Sequence, residues 1–172
     1  MTNSSNPVIL GLGSNRGDSK TILKQAVADL GTLLEDLRCS PIYISKPRYV
    51  LDQPNFFNCA VAGNFSGTPM QLLASVQAIE AQYGRDRSKE RSKGERTLDI
   101  DILLMGSLVV SEPPLLLIPH PLLHERKFAL LPLLNLEPEA QDPRTGDYYW
   151  KIYENLESQG IYYADFDDYN QH

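Results

Sequence analysis

Two aspartates set two residues apart in an apolar strand are the side chains best suited to chemistry. The segment from Arg96 to Gly106 reads RTLDIDILLMG and places Asp99 and Asp101 between aliphatic residues. Because successive side chains of a strand point to opposite faces, the two carboxylates share one face. Two acids about 6–7 Å apart repel each other and resist burial. We therefore expect a cation between them.

A basic segment leads directly into this strand. Residues 85–96 read RDRSKERSKGER, with six basic and three acidic residues, in a chain whose net charge is −6. Magnesium binds carboxylate, phosphate and water oxygens, and arginine binds phosphate. The acids beside this basic loop therefore favour a site for magnesium and phosphate. The alternatives are a strand face in water and a solvated loop of mixed charge.

Composition restricts the class of protein. The chain has 172 residues, of which 42% are hydrophobic and 22% charged, as is typical of one soluble globular domain. No apolar run is long enough to cross a membrane, and the first residues lack the features of a secretion signal. The negative net charge argues against general binding of nucleic acid. Cys39 and Cys59 match no metal-site or disulfide spacing, so we expect a reduced, cytoplasmic protein.

Hydrophobic periodicity predicts an α+β domain. The order strand, helix, strand, strand, helix, strand is the split βαβ pattern, which gives an antiparallel sheet with helices on one face. For the tail from residue 142, an ordered cover and a partly loose segment are both open. The predicted strands are residues 8–13, 41–45, 56–65, the aspartate strand and its hairpin partner 108–110. The predicted helices are residues 19–37, residues 128–136, and a helix that begins at a Thr68 cap and stops at Gly84.

A glycine-rich stretch ends the first predicted strand. The GLG of residues 11–13 does not complete a dinucleotide-binding fingerprint, because Arg16 occupies the third glycine position. The GSN of residues 13–15 is interpreted as an ordinary turn, with backbone amides offered to an anion as the alternative.

Taken together, these segments resemble the 6-hydroxymethyl-7,8-dihydropterin pyrophosphokinases of folate biosynthesis. The resemblance covers about residues 8–140, and the RTLDIDILL segment followed by PH and an RxF motif is its most specific part. The matching segments, in family order, are GSN at 13–15, DQP at 52–54 with Phe56 and Asn58, Gln77 and Glu80 before Gly84-Arg85, RTLDID at 96–101, and Pro119-His120 before Arg126 and Phe128.

The resemblance implies a ferredoxin-like fold, one domain over residues 1–172, and a magnesium-dependent transfer of pyrophosphate from ATP to the pterin hydroxymethyl group with release of AMP. Two Mg²⁺ ions would lie on Asp99 and Asp101. The implied catalytic residues are Arg85, Arg96, Asp99 and Asp101; the ATP-binding residues are Leu73, Gln77, Glu80, Arg87, Arg96, Ile102, His120 and Arg126; the pterin-binding residues are Ser45, Pro47, Phe56, Asn58, Asp99 and Phe128.

The implied partners are these small-molecule substrates alone, bound by a monomer without nucleic acid or membrane. The main alternative from another class is a ferredoxin-like module that binds RNA through the basic loop. Such modules expose aromatic side chains on adjacent strands, whereas the aspartate strand exposes acids that would repel phosphates without a metal. A catalytically inactive relative is the second alternative.

Overall fold

The computed structural model describes residues 5–85, 88 and 94–164. Within these residues, no helix combines the length and the apolar character that crossing a membrane requires. The strands are β1 (Asn6–Ser14), β2 (Glu35–Cys39), β3 (Tyr43–Ser45), β4 (Phe56–Phe65), β5 (Asp99–Met105), β6 (Val110–Glu112), β7 (Leu116–Ile118) and β8 (Ile161–Tyr163), and the helices are α1 (Ser19–Leu30), α2 (Pro69–Gln82), α3 (Lys127–Leu136) and α4 (Tyr149–Asn155).

An antiparallel sheet organises the domain, with the strand order β5-β1-β4-β3-β8 and with β2 also paired to β4. The strand β1 pairs with β5 on one side and β4 on the other. In this register Gly13 lies between Asp99 and Asn58, and Gly11 lies beside Asp101. The first strand therefore lies between the two acids of β5 and the predicted pterin residues Phe56 and Asn58 of β4, and its glycines add no side chain to the space between them.

Helices cover both faces of this sheet. One buried cluster joins the sheet to α1 and α2 through residues such as Leu10, Leu23 and Leu72. A second cluster joins the opposite face to α3 and α4 through Leu103 and Leu130, among others. The α+β class with an antiparallel sheet and flanking helices is confirmed, but the expectation of helices on one face is wrong. The ferredoxin-like classification itself stays a prediction.

The predicted first helix is too long. It ends at Leu30, and residues 35–39 form the strand β2 instead. The amide of Gly31 still bonds to the Val27 carbonyl at 3.0 Å, after which the chain turns. Leu34 is buried from the turn rather than from a helix, next to Gly63 of β4, where a Cβ atom would lie 2.9 Å from the Leu34 Cβ. The apolar spacing therefore continues past the end of the helix, because the side chains of the following turn pack into the same core as the helix.

The structure also decides the expectations for the hairpin partner of the aspartate strand and for the C-terminal tail. The hairpin partner predicted for the aspartate strand is wrong, because β6 pairs with β7 and not with β5. In the described part of the tail, residues 142–164, the structure shows an ordered cover: α4 packs in the second cluster, and β8 adds a strand beside β3. The capped helix α2 is confirmed, with Thr68 and Gln71 forming a reciprocal capping box.

Candidate active site

Asp99 is held by two arginines at the start of β5. Its Oδ2 accepts a hydrogen bond of 2.6 Å from Arg96 Nη1, and its Oδ1 contacts Arg85 Nη1. Burial alone would raise the pKa of Asp99, but the charges of Arg96 and Arg85 outweigh burial and lower the pKa below its ordinary value. Asp99 is therefore a carboxylate, and it orients both guanidinium groups.

A buried glutamate supports this cluster from the last turn of α2. Glu80 is 1% exposed, contacts Arg85, and accepts a hydrogen bond of 2.8 Å from the Ile100 amide. The helix ends just beyond it because Gly84 adopts a φ of +80°, which glycine tolerates without strain. The resulting turn brings Arg85 back toward β5. Glu80 thus joins the helix, the arginine and the aspartate strand.

Asp101 lies in a weaker ion-pair setting. Its Oδ2 is 3.7 Å from His120 Nε2 and 3.8 Å from Arg126 Nη1. Burial and the nearby charge of Asp99 raise its pKa to about 7, although a third of the side chain stays exposed. Asp101 therefore has no ion-pair partner closer than 3.7 Å among the described residues.

His120 is a neutral imidazole beside Asp101. Its backbone amide bonds to the Leu103 carbonyl at 3.0 Å, and its Nδ1 accepts from the Leu122 amide at 3.2 Å. Burial, together with the positive charge of Arg126, lowers the pKa of His120 to about 4. Because Nδ1 accepts a hydrogen bond, the proton of the neutral ring lies on Nε2, where it can be donated toward the site.

An apolar pocket adjoins the acidic pair. Phe56 at the start of β4 and Phe128 at the start of α3 line it, together with Asn58, whose Nδ2 donates to the Ser45 hydroxyl at 2.8 Å. Side chains at positions 11 and 13 would fill the floor of this pocket, since a Cβ on Gly13 would lie 3.4 Å from Asn58 Oδ1. The GLG motif is therefore not a dinucleotide-binding fingerprint; its two glycines leave room for a ligand in the pocket.

The GSN segment holds the end of the basic loop. Asn15 donates its amide to the Arg96 carbonyl at 3.0 Å and accepts the Arg96 amide on Oδ1 at 2.8 Å. Its Nδ2 donates to Gln53 Oε1 at 3.0 Å. The backbone amide of Asn15 is therefore bonded within the protein and is not offered to an anion, in agreement with the interpretation of an ordinary turn. Asn15 and Gln53 are positioning residues that sequence reasoning matched to the family without assigning them a role.

Most of the predicted site residues meet at one end of the sheet. Leu73 and Gln77 lie on α2, about two turns and one turn before Glu80 respectively, and Pro47 lies in the loop after β3. The side chain of Ile102 is buried in the first core cluster, on the face opposite Asp101. Arg87 lies outside the described residues. The residues that line one pocket are Ser45, Phe56, Asn58, Arg96, Asp99, Asp101, Arg126 and Phe128, with the unpredicted Lys46, Arg48 and Tyr49 beside them.

The donor set of the site suits magnesium and phosphate. Among the described residues no cluster of three metal-ligating side chains occurs, but magnesium uses one or two carboxylates and takes its other ligands from phosphates and water. The Nε atoms of Arg96 and Arg126 are buried and have no partner within the described part of the chain. Buried donors without an acceptor are costly, so both point to an anion that the site receives.

Comparison with known proteins agrees with this geometry. The family model described as 7,8-dihydro-6-hydroxymethylpterin-pyrophosphokinase (HPPK) matches residues 9–138. The chain belongs to the HPPK family. The family predicted from the sequence is thus confirmed, and with it the enzyme class, a pyrophosphokinase.

Relatives of two lengths share this similarity. The 2-amino-4-hydroxy-6-hydroxymethyldihydropteridine pyrophosphokinase of Aquifex aeolicus is 40% identical over 137 residues, covering 79% of this chain and 83% of that protein. Folic acid synthesis protein fol1 of Schizosaccharomyces pombe is 38% identical over 92% of this chain, which spans 22% of fol1. Wild-type Plasmodium falciparum HPPK-DHPS shares the fold, with a TM-score of 0.69 at 16% identity over 88% of this chain and 44% of that one.

Proposed function

We propose that this chain transfers the pyrophosphoryl group of ATP to the hydroxymethyl group of 6-hydroxymethyl-7,8-dihydropterin, in folate biosynthesis, and releases AMP. The observation that carries the proposal is that one pocket is lined by the Asp99–Asp101 pair, by two phenylalanines, and by Arg96 and Arg126, whose Nε donors are buried and have no partner among the described residues. HPPK family membership supplies the substrates.

Asp99 and Asp101 are the residues that would hold Mg²⁺, and we propose two ions. When bound, magnesium offsets the charge of the triphosphate and acidifies the attacking hydroxyl group. The weak pairing of Asp101 leaves its carboxyl oxygens available to a cation, which would displace the proton that its raised pKa favours. The strong pairing of Asp99 keeps that carboxylate ionised and fixed in direction.

The arginines would bind the triphosphate. Arg96 and Arg126 each have a buried Nε donor, and a planar guanidinium group can form two parallel bonds to a phosphate. Asp99 neutralises part of the positive charge of Arg85 and Arg96, and Arg126 adds a further positive charge to the site. Neutral His120 adds a hydrogen-bond donor without adding charge. Phosphoryl-type transfer depends mainly on such positioning and charge compensation.

The pterin would bind between Phe56 and Phe128, because a flat heterocycle packs well against aromatic faces. Asn58, fixed by Ser45, would present its carbonyl oxygen to the polar edge of the ring. The hydroxyl oxygen then forms a bond to the β-phosphorus and gives up its proton to water. The bond from that phosphorus to the oxygen bridging to the α-phosphorus breaks, and AMP leaves with this oxygen.

The test is incubation of the purified protein with Mg²⁺, ATP and the reduced pterin, followed by chromatography of the nucleotides. AMP and the pterin diphosphate are expected in equal amounts. Formation of ADP would mean transfer of the γ-phosphoryl group and would contradict the proposal. Asp99→Asn serves as a control of nearly equal size that should produce no AMP.

We also propose a single ferredoxin-like domain that acts as a monomer in the cytoplasm, with small molecules as its partners. Cys39 and Cys59 are free thiols, as a reducing compartment would favour. Light scattering during size-exclusion chromatography tests the monomer, and a mass of twice the 19.3 kDa chain would contradict it.

A further inference from the structure

Arg126 lies in an unusual position at the start of α3. It is the residue before the first helical residue, Lys127, and its side chain makes no capping hydrogen bond. The amides of a first helical turn need acceptors, which a short polar side chain at this position normally supplies. The Arg126 side chain points instead into the site, with Nη1 3.8 Å from Asp101 Oδ2 and with its guanidinium carbon 5.7 Å from the centre of the Phe128 ring.

A glutamine from the C-terminal segment supplies the missing contacts. Gln159 accepts a hydrogen bond from the Lys127 amide on Oε1 at 3.0 Å and donates from Nε2 to the Glu125 carbonyl at 2.9 Å. Its amide group therefore bonds the peptide groups on both sides of Arg126, as a neighbouring strand would. Arg48, from the loop after β3, donates to the same Glu125 carbonyl at 2.5 Å.

The position of Gln159 is itself set by the sheet. Gly160 adopts a φ of +64°, and the next residue begins β8, where Ile161 pairs with Ser45 at the end of β3. Ser45 in turn accepts the hydrogen bond of Asn58 in the pterin pocket. The chain between α4 and residue 164 thus borders both sides of the site, although the family model matches only residues 9–138.

We propose that Gln159 is a positioning residue, which holds the Arg126 backbone so that the guanidinium group faces the phosphates of ATP. This inference rests on the proposed function, because it assigns Arg126 to the nucleotide. Gln159 is not among the residues that line the pocket and acts through Arg126. The C-terminal segment is thereby part of the machinery of the site and more than a cover for the sheet edge.

The expected defect is one of orientation rather than of folding. Gln159 is half-buried, so water can replace its two hydrogen bonds when the side chain is removed. The Arg126 backbone then gains freedom, and the guanidinium group must be ordered when ATP binds. For Gln159→Leu, which keeps the size of the side chain, we expect kcat/KM for ATP to fall on the order of tenfold. KM for the pterin should change by less than about twofold, because Phe128 is also packed in the core.

The experiment compares steady-state rates of AMP formation for wild type, Gln159→Leu and the matched control Glu157→Leu, an exposed residue of the same segment. The control should keep the wild-type kcat/KM. Gln159→Glu, which retains the acceptor for the Lys127 amide, should recover part of the loss. Thermal unfolding of each variant shows whether the fold is intact.

A double-mutant cycle with Arg126→Ala tests whether Gln159 acts through the arginine. In the Arg126→Ala background, Gln159→Leu should cause no further loss. An equal tenfold loss in both backgrounds, or a Gln159→Leu variant equal to wild type, would overturn the inference. A wild-type protein that makes no AMP would instead overturn the proposed function, and ATP affinity measured by calorimetry would then decide the role of Gln159 by the same cycle.

Discussion

The buried carboxylate of Glu80 offers the sharpest test of how the site is held. The Glu80 and Arg85 side chains are 1% and 7% exposed, and Arg85 bridges Glu80 to Asp99. Glu80 also accepts the Ile100 amide at 2.8 Å. Glu80→Gln removes the charge but keeps a carbonyl oxygen for Ile100, whereas Glu80→Leu removes both. The two variants therefore separate the ion pair from the backbone hydrogen bond.

The magnitudes follow from these contacts. A hydrogen bond to a charged partner contributes about 1.5–3 kcal/mol, which is the expected loss in the free energy of unfolding for Glu80→Gln. Leaving the buried Ile100 amide without an acceptor costs about 1–3 kcal/mol more, so Glu80→Leu should lose about 2.5–6 kcal/mol. In the Glu80→Leu variant Arg85 keeps its contact with Asp99 and is not left as an unpaired buried charge. The loss should therefore be smaller than that for a fully unpaired buried charge combined with the lost Ile100 hydrogen bond.

Urea denaturation of the metal-free protein measures both losses. The exposed Arg38–Glu137 pair, with side chains 56% and 47% exposed, supplies the matched control. Glu137→Gln should change the free energy of unfolding by less than about 0.5 kcal/mol, because water screens exposed pairs. If Glu80→Gln costs no more than Glu137→Gln, burial does not strengthen the Glu80 pair. If Glu80→Leu equals Glu80→Gln, the Ile100 hydrogen bond is not a separate contribution.

Three further predictions concern the acids and the pterin pocket. Asp101→Asn should abolish AMP formation without destabilising the metal-free fold, because burial and Asp99 raise the pKa of Asp101 to about 7 and make its charged form costly; a lower midpoint in urea would contradict this. The hydrogen bonds from Arg144 hold the pKa of buried Asp142 below its usual range, so its stabilisation is present above about pH 4 and is lost as the pH falls through the folded-state pKa. Asp142→Asn should therefore cost about 1.5–3 kcal/mol at pH 7 and less below about pH 4, and a loss independent of pH would refute the assignment. Phe128→Leu should raise KM for the pterin about fivefold with little change in KM for ATP, and steady-state kinetics in which both rise equally would argue against a stacked pterin.

The elements with complete local signals were predictable. The strand predicted at residues 56–65 has those bounds in the structure, and α2 begins at the predicted cap and ends before Gly84. Each has its own turn chemistry at both ends, which is encoded within a few residues. The first helix also has a local stop signal, since Gly31 directly follows Leu30. The prediction ran past it because Leu33 and Leu34 continue the apolar spacing through a turn that packs on the same core.

The faces of the aspartate strand were also predictable. Leu98, Ile100 and Ile102 all lie in the first core cluster, and both aspartates line the pocket on the opposite face. Strand alternation is a property of the backbone, so this needed no knowledge of the partner strands. The order of the motifs along the chain was sufficient to identify the family as well.

The sequence by itself therefore determined the chemistry that is available: paired acids, a basic approach, aromatic side chains and the family to which they belong. Only the tertiary structure decided how these groups are paired. It placed Arg85 and Arg96 on Asp99, left Asp101 weakly paired, and brought Gln159 to the Arg126 turn. The physical reason is that periodicity reports which face a residue occupies. The Arg85–Asp99 and Gln159–Glu125 contacts join residues 14 and 34 positions apart, and they depend on strand order and register, which local spacing does not contain.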